Sequence, residues 1–262
     1  MEDQVDYVSG KTRVFGIVGD PIEQVRSPEM ITAELTRRGH DAVLVPMHVA
    51  AAEFDDALPG IMRLRNLGGL VFTIPFKARA VVLADELGPQ ARTLGVINAL
   101  ARGHDGRWRG DIFDGLGCVE AFRRRGIAFE GKRVMLIGAG GAGSAIAAAV
   151  AGERPASLWI FDVDPARAQG LAGKVGGTHV DAPTVAGIDI LLNATPVGML
   201  DDARLPLAVD ALAPSLVVFD AIVKPERTPL LALAESCGCT TVRGREMMRG
   251  QIARMVDFFY AS

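Results

Sequence analysis

The residues Gly138-Ala139-Gly140-Gly141-Ala142-Gly143 set three glycines at the spacing G-x-G-x-x-G, between the apolar run Arg133-Val-Met-Leu-Ile137 and an alanine-rich stretch that reads as a helix. Strand, glycine turn and helix in that order form the context in which this pattern binds a dinucleotide. The glycines let the turn tighten and let backbone N–H groups approach a pyrophosphate, while the helix N-terminus presents the positive end of its dipole. The next apolar run, Ser157-Leu-Trp-Ile-Phe161, ends at Asp162, 24 positions after Gly138 (162 − 138). That is near the roughly 20-residue offset at which an acidic side chain meets the adenosine ribose 2′-OH. A carboxylate there favours NAD over NADP, whose 2′-phosphate would face it; no Arg stands at the strand end, and Arg167, five positions on, is the nearest one. The alternative is a glycine-rich turn that binds nothing, and it leaves the coincidence of strand, glycines and acid unexplained. Hydride transfer at an alcohol also needs a general acid/base beside the reacting oxygen. Lys77, a lone cation just past the apolar run Leu70-Val-Phe-Thr-Ile74, stands where binding sites form in parallel sheets. On local context alone a solvated surface lysine is the better reading.

The bulk composition suits such chemistry. With 262 residues the chain makes about two domains, and 49% hydrophobic against 23% charged residues is ample for a buried core and excludes disorder. Lys+Arg number 28 and Asp+Glu 31, a net charge of −3 with no long block of one sign, which speaks against nucleic acid as a partner. Cys118, Cys237 and Cys239 have neither metal-ligand spacing nor a nearby His, so no metal site and no disulfide framework is expected. The N-terminus lacks a basic region followed by an apolar one, and the longest apolar run, around Ala145–Ala151, is far short of about 20 residues. A soluble, cytoplasmic protein without a membrane partner is expected.

The elements that must position these residues follow a β-α rhythm. Val14–Gly19 reads as a buried strand turning at Asp20-Pro21-Ile22, and Ser27-Pro28 as a helix start with Ser27 the N-cap, running to Gly39. A strand at Val43–His48, a helix from Glu53 to Arg65 and a strand at Leu70–Ile74 complete β-α-β-α-β, hence a parallel sheet. After the loop at Gly103–Gly106 a second rhythm starts, with strands at Arg133–Ile137, Ser157–Phe161, Ile188–Leu192 and Leu216–Phe219 and a helix from Pro165 to Lys174. No repeat or low-complexity linker is visible, so the boundary is set near Gly110 by the restart of the pattern. The fold class is α/β in two domains: one over 1–110 and a Rossmann-type domain over 111–240, followed by 241–262.

Taken in order, seven segments resemble the shikimate/quinate dehydrogenase family: Gly19-Asp-Pro-Ile with Ser27-Pro28, Thr73-Ile-Pro-Phe-Lys77, Gly95-Val-Ile-Asn98, Asp114-Gly-Leu-Gly117, Gly138-Ala-Gly-Gly-Ala, Asn193-Ala-Thr-Pro-Val-Gly-Met199, and Gly244-x-x-x-Met248-x-x-Gln251. The resemblance implies an N-terminal substrate domain, a Rossmann domain binding NAD or NADP, a C-terminal helix returning to the first domain, and an active site in the cleft between the two. It makes Lys77 the catalytic lysine and Asp114 its paired aspartate. A lysine of ordinary pKa, about 10.4, is a poor base at pH 7, so the role requires burial to favour the amine, whereas a carboxylate favours the ammonium. The task this leaves to Asp114 is orienting Lys77 and holding a substrate hydroxyl. By the same resemblance Asn98 and Gln251 bind ring hydroxyls, Ser27 binds the substrate carboxylate with Thr73 near both, and Thr195 and Met199 flank the nicotinamide. Without it, Asn98 reads as a turn residue and Gln251 as an exposed helix position.

The chain also departs from the family pattern. Val25 stands in place of the first hydroxyl of Ser-x-Ser-Pro, Ile112-Phe113 in place of Asn-Thr before Asp114, and Val223 in place of the Tyr of Asp-x-x-Tyr-x-Pro. Val25, Phe113 and Val223 are therefore expected to line the substrate site and to weaken shikimate recognition, since each lost bond to a charged ligand is worth roughly 1.5–3 kcal/mol. Arg26 could replace the carboxylate partner but reads better as a surface residue. The expectation is an NAD-linked dehydrogenase, monomeric or homodimeric, acting on a small cyclic hydroxy-acid, with NADP as second choice. Its rivals are an NADP-linked biosynthetic shikimate dehydrogenase using Arg167, and a non-catalytic nucleotide-sensing module, which would need neither Lys77 nor Asp114.

Overall fold

The computed structural model describes residues 8–209 and 211–261. It divides into two compact units, one made of the chain up to Ile112 together with Ile252 onward, the other of Phe113–Gln251.

In the first unit β1 (Arg13–Gly19) is followed by α1 (Ser27–Arg37), β2 (Ala42–His48), α2 (Phe54–Ile61) and β3 (Leu67–Phe72). β1 lies between β2 and β3 and pairs with both in parallel, as the alternating pattern predicts. The chain continues through β4 (Glu86–Leu87) and α3 (Pro89–Leu94) to β5 (Ala99–Arg102) and β6 (Trp108–Asp111). These last two strands form an antiparallel hairpin, and β5 is also antiparallel to β3. The sheet, in the order β2-β1-β3-β5-β6-β4, is therefore mixed and not purely parallel. The cause is the loop at 103–106, where the Gly103 N–H donates to the Arg107 carbonyl at 2.8 Å and Gly106 takes φ +78°, returning the chain without a crossover helix.

Three local readings shift. Arg26, not Ser27, is the N-cap of α1, and no side chain caps that end. α2 closes at Ile61, four residues short of Arg65. β3 starts and ends earlier than read, because beyond Phe72 the Phe76 N–H closes a turn on the Thr73 carbonyl at 2.8 Å. All six residues of β3 are buried, the signature of a strand covered on both faces. Phe15, Phe54, Phe72 and Phe76 are fully buried, with Phe54 stacked on Phe76 at 4.5 Å.

The second unit opens with α4 (Asp114–Arg124), β7 (Arg133–Ile137), α5 (Gly141–Gly152), β8 (Ser157–Phe161), α6 (Pro165–Val175) and β9 (Thr178–His179). β10 (Ile190–Asn193), β11 (Val217–Asp220), α7 (Pro229–Ser236), β12 (Thr240–Arg243) and α8 (Gly244–Tyr260) complete it; residues 252–260 of α8 count with the first unit. Its sheet has the order β12-β11-β10-β7-β8-β9 with every pair parallel. That is the doubly wound arrangement, and its order reverses between β7 and β10. α6 begins where Asp164 accepts from the Ala166 and Arg167 N–H groups and ends at Gly176 in the left-handed region, a capped helix at the residues read for it.

Candidate active site

In the second unit the glycine turn sits at the carboxyl end of β7, beside the switch point. Gly138 adopts φ +100°, which only glycine takes freely. A β-carbon on Gly143 would lie 1.9 Å from the Gly138 carbonyl oxygen, so α5 can start this close to the turn only without one. A β-carbon on Gly140 would meet nothing within 4 Å. The turn thus has an open side at the N-terminus of a 12-residue helix, and Gly138, Ala139, Gly140, Gly141, Ala142 and Gly143 form a cradle that fits a pyrophosphate.

At the carboxyl end of β8, Asp162 is buried; its Oδ2 accepts the Ala139 N–H at 2.7 Å and its Oδ1 the Asp164 N–H at 2.9 Å. The residue predicted to read the ribose therefore also buttresses the glycine turn. The strand end is not free of arginine: the first turn of α6 folds back and brings the Arg167 guanidinium within 3.8 Å of both Asp162 and Asp164. Five residues of sequence distance hid this, because one helical turn cancels it. Between the two acids Val163 is 89% exposed.

Asp114 is the first residue of α4 and is buried, and Gln251 of α8 donates from Nε2 to its Oδ1 at 2.8 Å. Gln251 is half-buried, not an exposed helix position. Phe113, buried, occupies the N-cap of the same helix, so an apolar ring precedes Asp114.

At the ends of β10 and β11 sequence reading missed a buried network. Asp220 accepts from the Thr228 hydroxyl at 2.7 Å, the Ile222 N–H at 3.0 Å and the Asn193 amide at 3.1 Å. Asn193 Oδ1 in turn accepts from the Thr195 hydroxyl at 2.7 Å and its N–H at 3.1 Å. Asn193 and Asp220 each close an apolar strand with a polar residue, a signal available in the sequence. Met199, 44% exposed, and half-buried Val223 lie on the loops this network ties down.

In the first unit the remaining residues gather at one sheet end. Thr73 follows β3, its N–H donating to the Val18 carbonyl of β1 at 3.0 Å. The Ile97 N–H donates to the Lys77 carbonyl at 2.9 Å, which holds the Lys77 backbone beside Asn98. Asn98 is buried and immediately precedes β5, whose Ala99 pairs with Val71 of β3. Because β5 runs antiparallel, its start and the carboxyl end of β3 share this edge. Ser27 and Val25 are both half-buried in the segment that follows β1. Arg26 is exposed and paired with Glu29 at 2.5 Å. Among the described residues no helix is long and apolar enough to cross a membrane, and no group of three His, Cys, Asp or Glu could hold a metal.

Comparison with known proteins agrees with the two-sheet α/β fold. The family described as shikimate dehydrogenase substrate binding domain matches residues 17–100. A shikimate dehydrogenase (NADP(+)) of Rhodospirillum rubrum is 36% identical over 257 residues, covering 93% of this chain and 90% of its own. Among solved structures, a quinate dehydrogenase from Corynebacterium glutamicum in complex with NAD superposes with a TM-score of 0.87 at 28% identity, over 96% of this chain and 94% of that one. The ligand-free 5-ketofructose reductase of Gluconobacter sp. strain CHM43 reaches 0.86 at 27% identity, over 97% and 95%.

Proposed function

The chain belongs to the shikimate dehydrogenase family and is an oxidoreductase of the shikimate/quinate dehydrogenase type, and on that premise we propose that it interconverts a cyclic hydroxy-acid and its keto form with NAD(H) as the preferred carrier. Bound at the glycine turn, NAD supplies the hydride acceptor and NADH the donor. Lys77 moves the hydroxyl proton: its Nζ takes it as the alcohol is oxidised and returns it on reduction. Asp114, itself held by Gln251, has the task of orienting Lys77 and accepting from a substrate hydroxyl other than the reacting one. Asn98 and Gln251 hold ring hydroxyls, Ser27 donates to the carboxylate, and Thr73 lies near both. Val25, Phe113 and Val223 face the substrate where the family pattern has hydrogen-bonding groups, so the preferred acid carries fewer hydroxyls than shikimate. Thr195 and Met199 flank the nicotinamide.

One observation carries the choice of NAD: Asp162 and Asp164 bracket the exposed Val163 at the end of β8, a negative setting for a 2′-phosphate. Arg167 beside both acids favours a second reading, NADP-linked shikimate reduction, in line with the name of the Rhodospirillum rubrum relative. Steady-state rates with shikimate, quinate and related hydroxy-acids, each with NAD and with NADP, decide between them. NAD should lead by about tenfold or more in kcat/KM, since one unfavourable charge contact of about 1.4 kcal/mol gives that factor. Equal or better rates with NADP would establish the second reading.

A further inference from the structure

Asp220 is fully buried, and among the described residues every group that bonds it is a neutral donor. The Ile222 N–H donates to its Oδ1 at 3.0 Å. The Thr228 hydroxyl already accepts from the Leu231 N–H at 3.3 Å, so its proton points to Asp220. The Asn193 carboxamide presents its oxygen to Thr195, so its NH2 points to Asp220. The network thus has one sense and ends on a carboxylate that receives three hydrogen bonds and donates none, the pattern of an anion. Burial pushes its carboxyl above the usual range, a rise that the same three donors lessen without cancelling.

The place of this anion in the sheet gives it a use. In a doubly wound sheet a dinucleotide lies across the switch point, with its adenosine half on one side and its second half on the other. Asp162 marks the adenosine side at β8, so the nicotinamide half falls toward the carboxyl ends of β10 and β11. Asp220 closes β11 and bonds the residue that closes β10. It thereby ties down two loops, which are joined again where the Leu200 N–H donates to the Lys224 carbonyl at 3.2 Å. The nicotinamide ring carries a positive charge in NAD+ and none in NADH.

We propose that Asp220, held by Thr228, Ile222 and Asn193, is a positioning residue with two effects: it fixes the 193–200 and 220–225 loops for the nicotinamide half, and its charge favours NAD+ over NADH. The inference rests on the function proposed above. Its test is equilibrium binding, with NADH followed by its fluorescence and NAD+ by competition against it, in parallel with thermal unfolding. For Asp220→Asn the ratio of the Kd for NAD+ to that for NADH should rise about threefold to tenfold, as one buried charge near the ring predicts. Thr228→Val keeps the charge but loses an anchor, so both Kd values should rise together with their ratio unchanged, and Thr228→Ser should recover most of that loss. An unchanged ratio in a folded Asp220→Asn protein overturns the proposal, as does a ratio that moves equally in Thr228→Val. If Asp220→Asn does not fold, Thr228→Val decides, and unaltered Kd values for both forms overturn the proposal. Wild-type protein that binds neither form overturns the reading of the function and this inference with it; wild type that binds both while Asp220→Asn keeps the ratio overturns this inference alone.

Discussion

The Gln251 carboxamide reaches Asp114 Oδ1 at 2.8 Å because α8 and α4 pack almost backbone to backbone. A β-carbon on Gly117 of α4 would sit 2.5 Å from the Met247 carbonyl and 2.8 Å from Gln251 Cβ. The glycine one turn behind the acid is therefore what lets the amide arrive. Gln251→Leu keeps the volume and deletes the donor, so kcat should fall about tenfold to a hundredfold, the worth of a hydrogen bond to a charged group. Gly117→Ala should cost about 1–3 kcal/mol in urea unfolding by forcing the helices apart. Wild-type kcat in Gln251→Leu would mean that Asp114 needs no such orientation.

Lys77→Ala should lower kcat by about 10²–10⁴, the usual loss of a general acid/base. Its Kd for NADH should stay within about twofold of wild type, because the glycine turn is built from other strands. A kcat close to wild type on the best substrate would make Lys77 a surface residue, whereas a proportional loss of NADH affinity would assign it to the cofactor site.

Asp162→Asn retains an acceptor for the Ala139 N–H while removing the charge at the end of β8. The NAD-over-NADP ratio in kcat/KM should therefore narrow, by about tenfold at most. Arg167→Ala should move it the other way, because it removes the cation lying 3.8 Å from both acids. Ratios untouched by either change would remove the β8 end from cofactor selection.

Val25→Ser and Val223→Tyr restore hydrogen-bonding groups where the family pattern has them. If the apolar faces are the obstacle, the KM for shikimate should drop, by up to about tenfold for each new bond to the charged ligand. An unaltered KM in the double variant would place the specificity elsewhere.

Glu34 accepts from Arg37 at 2.6 and 2.8 Å and from Arg38 at 2.7 Å, and these guanidinium groups hold its carboxyl down at about 2. Arg38 also donates to Asp257 and to the Ala253 carbonyl of α8, so Glu34 steadies a tie between α1 and α8. A depressed folded pKa means stability present above the ordinary value of 4.5 and lost as pH falls from there toward about 2. Glu34→Gln should cost about 1 kcal/mol at pH 7, modest because Arg37 is solvent-exposed. That difference should close as the pH is lowered through this window in chemical denaturation. Coincident wild-type and variant curves at pH 7 would show that the pair contributes nothing.

Much of the scaffold is legible in the chain itself because local chemistry decides it. The strand at 133–137, the turn at 138–143 and the helix at 165–175 are set by an apolar run, by glycines and by Asp164 as a cap, all within a few residues. The order of the motifs likewise declares the family before any coordinate does. What the chain alone does not reveal are relationships across sequence distance. The hairpin of β5 and β6 makes the first sheet mixed, yet a short turn between strands leaves no periodic trace. Arg167 meets Asp162 through a helical turn, and Gln251 meets Asp114 across 137 positions. Asn193 and Asp220 close β10 and β11, and Thr228 caps α7. Only parallel pairing of β10 with β11 brings their side chains together, because buried polar groups are left to satisfy one another where water cannot.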